Sequence, residues 1–124
     1  MEGPRTWLAK FGDAFRGTAR AVASQSSFAV HLPVAALAVA VAAFLGMSPT
    51  EWCLIALAIG LVLAAEVLNT AIEFLAKAVT REYDANVRDA LDVASAGVFV
   101  TVITAVVVGA ILLGNRAGSL LGWW

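Results

Sequence analysis

Ala64-Ala65-Glu66-Val67-Leu68-Asn69-Thr70-Ala71-Ile72-Glu73 is the stretch on which the fold turns. It continues the uncharged run Trp52 to Ala65 straight into two carboxylates and a carboxamide. At ~1.5 Å per helical residue that run covers about 21 Å, less than the ~30 Å hydrocarbon core of a bilayer. Glu66 and Asn69 therefore fall within the membrane or at its edge, where ionisable groups are costly and mark functional sites by default. Glu66, Asn69 and Glu73 stand at i, i+3 and i+7 and share one helix face. Lys77 extends that line by one more turn, in position to pair with Glu73 at i, i+4.

Working outward, two more apolar runs flank this one. The sequence predicts membrane helices over 28–46, 52–79 and 86–114, broken at Met47-Ser48-Pro49-Thr50 and at Thr80-Arg81-Glu82-Tyr83-Asp84. The first run begins late and continues into a full span, as expected of a membrane helix and not of a cleaved signal peptide. Pro33 and His31 lie near its start, where the proline is tolerated and the histidine is expected to be solvated at the interface. Residues 5–24 form a separate element. On a helical wheel Trp7, Leu8, Phe11, Phe15 and Val22 share one face and Arg5, Asp13, Arg16 and Arg20 the other, the pattern of an amphipathic helix on an anionic membrane surface. The expected architecture is an all-α membrane protein, one domain over 1–124.

Composition agrees. Of 124 residues, 61% are hydrophobic and 14% charged, far from the balance of a soluble domain. A net charge of -1 gives no basic field, so no nucleic-acid partner is expected. The single Cys53 has no partner for a disulfide or metal site and is expected to pack in its apolar run. Seven of the eight basic residues lie before the first span or between the second and third, the exception being Arg116. The positive-inside rule then makes the N-terminus cytoplasmic and the C-terminus external.

The third helix carries a second polar stripe, Arg88, Asp92 and Ser95, at the same depth as Glu73. Gathered in one bundle, these groups would form an acidic cluster able to hold a hard cation; Mg²⁺ is typically bound by one or two carboxylates plus nucleotide phosphates. A carboxylate at this depth also suits a general base facing a hydroxyl. Phosphoryl transfer from Mg-ATP to a lipid alcohol fits both. From spacing alone, polar groups that only join helices together fit as well.

Several motifs resemble the small bacterial integral-membrane diacylglycerol and undecaprenol kinases. They are Ala14-Phe15-Arg16-Gly17, Ser27-Phe28-Ala29-Val30-His31, Glu82-Tyr83 and Asp92-Val93-Ala94-Ser95-Ala96-Gly97. Above all, Glu66 to Glu73 matches E-x-x-N-[ST]-A-I-E at every fixed position. The resemblance implies a homotrimer of surface helix plus three spans in the bacterial cytoplasmic membrane, using Mg²⁺ with ATP to phosphorylate a lipid. It implies Glu66 as base, Asn69 as orienting group, and Glu73 with Gln25 at the metal. Glu73, Glu82, Tyr83, Asp84 and Asp92 would meet the nucleotide, joined by Lys77 from its place on the carboxylate face, and Phe15, Arg16, Gly17, Phe28 and Glu66 the lipid.

Four positions depart from the family pattern. Gln25 stands where a Glu is usual, Leu91 where a Lys precedes the Asp, Ala29 where an Arg is common, and Lys77 where an Asp is common. Active kinases remain expected if Lys77, Arg81 or Arg88 supplies the missing cation; the alternative is a weak or inactive relative that serves as an oligomeric membrane scaffold.

Overall fold

The computed structural model describes residues 3–124. They form four helices: α1 (Trp7–Ser24), α2 (Phe28–Leu45), α3 (Pro49–Val79) and α4 (Ala85–Leu120). The last three are each long and apolar enough to cross a membrane. α3 and α4 pack together most extensively, α2 lies against both, and α1 reaches α3.

Local chemistry sets the boundaries. α1 starts at Trp7 because the Thr6 hydroxyl accepts from the Ala9 amide at 3.2 Å, satisfying a donor that a helix start leaves free. α2 stops at Gly46, whose φ of +70° suits a residue without Cβ. The Gly46 and Met47 amides then close back on the Ala43 and Ala42 carbonyls.

Ser48 and Glu51 form a reciprocal capping box with Pro49 in the first turn, so α3 begins three residues before the predicted Trp52. Asp84 starts α4 by accepting from the Asn86 and Val87 amides at 2.9 and 3.0 Å. α4 also runs six residues past the predicted end at Gly114, to Leu120. There the Trp123 amide bonds the Gly118 carbonyl, Gly122 bonds Ser119, and Gly122 takes a φ of +76°.

One apolar cluster sits at the α2–α3 turn. Ala42, Met47 and Ile55 are buried, with Leu45, Trp52, Ile59, Leu112 and Leu113 against them. Arg116, on the added turns of α4, donates to the carbonyls of Leu45 and Gly46 and so ties α4 to the end of α2. Elsewhere the helices present apolar side chains outward, among them Phe44, Leu57, Val106 and Ile111. In water such a surface would associate; in a bilayer it meets lipid or neighbouring helices. Cys53 is among the outward-facing residues, contrary to the packed position expected for it.

Candidate active site

The other end of the bundle holds the buried polar residues. Glu66 is 5% exposed, Asn69 8% and Thr70 1%, all on the middle of α3. The i, i+3, i+7 spacing does place Glu66, Asn69 and Glu73 on the face that meets the start of α2, and each carboxylate has its own partners there.

Glu66 is held from α2. The Ser27 hydroxyl donates to its Oε2 at 3.0 Å, and His31 Nε2 lies 3.0 Å from its Oε1. The Thr70 hydroxyl bonds the Glu66 carbonyl at 2.8 Å, fixing the backbone beneath the carboxylate. His31 is thus a partner of Glu66 and not a solvated interfacial group. No single-helix pattern could show this, because it depends on how α2 is rotated against α3. A carboxylate has about four lone-pair sites, so two remain for a further donor.

Glu73 is held by carboxamides. Gln25 Nε2 donates to Oε2 at 2.6 Å and Asn69 Nδ2 to Oε1 at 2.9 Å. Gln25 lies 48 residues away in sequence, so the turn between α1 and α2 brings together the two residues expected at a metal. Asn69 Oδ1 is buried and has no hydrogen-bond partner. Lys77 does not pair with Glu73; its Nζ stands 5.9 Å from the centre of the Phe74 ring. Lys77 is exposed, and an ion pair made by an exposed, flexible lysine contributes little.

The expected single acidic cluster does not form. Among the described residues, no three His, Cys, Asp or Glu side chains group as an ion site. Asp92 points outward and pairs with Arg88 at 3.4 Å. One carboxylate with two carboxamides nevertheless fits a magnesium–nucleotide complex, in which phosphate and water oxygens fill most positions. The unpartnered Asn69 oxygen, on the same amide that touches Glu73, is a ready acceptor for such a cation.

Beyond Glu73 an open cleft of about 390 Å³ is lined by Glu73, Lys77, Thr80, Glu82, Tyr83, Asp84, Arg88 and Leu91, with Ala76 and Val87. It collects every residue expected to meet the nucleotide except Asp92. Asp84 spends one carboxylate oxygen on the α4 amides, and Leu91 puts an apolar wall where a cation was usual. Arg88, which the sequence offered only as a substitute, is in the lining.

The lipid set is less compact. Glu66 faces α2, but Phe28 is 2% exposed and therefore belongs to the packing of the chain. Phe15 is 76% exposed, Arg16 pairs with Asp13, and a Cβ added at Gly17 would meet nothing. Among the described residues none covers these three.

A family model described as prokaryotic diacylglycerol kinase matches residues 12–113, a range that contains every site described above. No individual curated protein matches the chain. The chain belongs to the prokaryotic diacylglycerol kinase family, and that membership points to a lipid kinase without choosing the lipid.

Proposed function

We propose that this member of the family transfers the γ-phosphoryl group of Mg-ATP to the hydroxyl of a membrane lipid, diacylglycerol or undecaprenol. The observation that carries the reading is the paired geometry on α3. A buried carboxylate, Glu66, keeps lone pairs free for a hydroxyl; two turns on, Glu73 opens onto a polar cleft. Two turns of helix are about 11 Å, so a lipid head group at Glu66 and a triphosphate reaching from the cleft meet between them.

In this reading Glu66 accepts the proton of the lipid hydroxyl as its oxygen forms the new bond to the γ-phosphorus. The bond from that phosphorus to the ADP oxygen breaks in line, and ADP leaves with the electron pair. Asn69 orients Glu73. Glu73, Asn69 Oδ1 and Gln25, once its amide turns to present oxygen, would hold the magnesium ion, which neutralises phosphate charge. Lys77 and Arg88 supply the cations that Leu91 does not, and Glu82 and Tyr83 border the nucleotide. The α1 helix lies on the membrane surface with Trp7, Phe11 and Phe15 in the lipid, and Phe15-Arg16-Gly17 closes over the head group in a homotrimer. The N-terminus is cytoplasmic and the C-terminus external, in the bacterial inner membrane.

One observation favours a second reading. Gln25 and Asn69 together satisfy both oxygens of Glu73 without any cation, as they would in a scaffold that has lost the reaction. Phosphate transfer from labelled ATP separates the two readings, using purified protein in mixed micelles with Mg²⁺ and both lipids offered side by side. Transfer to one lipid, lost in Glu66→Gln, establishes the kinase and names its substrate. Absence of transfer to either, from a folded oligomer, establishes the scaffold.

A further inference from the structure

We propose that His31 is a positioning residue for Glu66, acting with Ser27 to aim the carboxylate at the lipid hydroxyl. The inference rests on the reading of Glu66 as the base. Ser27 and His31 are one helical turn apart, and the His31 amide bonds the Ser27 carbonyl at 3.0 Å. Their side chains therefore leave α2 on one face and straddle the carboxylate, each 3.0 Å from a different oxygen.

Such a clamp is needed. The terminal torsion of a glutamate is broad, and at 5% exposure little water is available to orient this one. Two donors on a different helix fix both oxygens at once. The histidine also has a second neighbour. It ends an apolar groove of about 410 Å³ between α2, α3 and α4, and every other residue lining that groove is aliphatic or glycine. The imidazole stands between the groove and Glu66, so it borders the lipid side of the base and not the nucleotide cleft. A neutral ring with its proton on Nε2 donates to Glu66 and leaves Nδ1 as an acceptor.

His31 is the single histidine of the chain, so the full-length protein labelled with ¹⁵N-histidine and reconstituted in bilayers gives one imidazole to observe. The expected spectrum shows a ring protonated and hydrogen-bonded at Nε2, with that signal shifted in Glu66→Gln. In the transfer assay, His31→Leu is expected to lower kcat by about 10- to 100-fold, the range for losing a hydrogen bond to a charged group. KM for ATP stays unchanged, and His31→Gln, which keeps an N–H donor at the same reach, recovers most of the rate. An imidazole signal indifferent to Glu66→Gln overturns the proposal, as does equal turnover in the leucine and glutamine variants. A parent protein without transfer whose imidazole still responds to Glu66→Gln keeps the contact and removes the kinase reading instead.

Discussion

The two ends of the bundle meet the same problem, polar groups inside an apolar molecule, in opposite ways. At the α2–α3 turn the solutions are backbone ones. Ser48 and Glu51 cap each other's amides, glycines at positive φ end α2 and follow α4, and Arg116 takes the carbonyls of Leu45 and Gly46. At the Glu66 end the bonds join side chain to side chain across elements: Ser27 and His31 to Glu66, Gln25 to Glu73. The first kind of bond fixes where the chain turns. The second kind fixes how two carboxylates are aimed, and it costs more to bury than an apolar pair would.

Substitutions at the two ends should therefore fail differently. The largest effect is expected at Glu66→Gln, where loss of the base lowers turnover by about 10²- to 10⁴-fold while size-exclusion chromatography shows an unchanged oligomer; a loss of assembly in its place would erase the contrast. Next is Glu73→Gln. If Glu73 holds the metal as proposed, removing its charge should raise the Mg²⁺ concentration needed for half-maximal transfer by about tenfold, the worth of one charge-assisted contact, and a titration that overlays the parent would remove the metal from this residue.

At the other end Ser48→Ala should lower stability by about 1 kcal/mol through loss of the cap, read as an earlier unfolding midpoint with transfer unaltered. Smallest is Gly118→Ala. The added Cβ meets the Trp124 ring at distances no real pair of atoms adopts, but the clash is with the far edge of an exposed side chain that can swing away. Tryptophan emission should shift while stability moves by no more than about 0.5 kcal/mol.

How much of this was legible in the sequence follows the same division. The three long helices and the shared face of Glu66, Asn69 and Glu73 are properties of one helix at a time, and periodicity carries them. Partners across helices are not: the rotation that sets His31 on Glu66, or Gln25 on Glu73, is written in no single repeat. Spacing offered Lys77 to Glu73, but Glu73 takes a tertiary bond from Gln25 and an i, i+4 bond within α3 from Asn69. The last six residues of α4 were hidden by Gly114, which reads as a stop until Arg116 is seen reaching across to α2.

Asn69 Oδ1 carries a consequence of its own. The oxygen is shielded from bulk solvent by the packed helices, and burying an acceptor without a protein partner costs about 1–3 kcal/mol. A ligand that arrives later does not meet that cost again. The fold thus keeps one atom in a state of preorganisation, more hospitable to an incoming positive charge than the same carboxamide would be in water, and it does so about three turns of helix before α3 gives way to the loop after Val79.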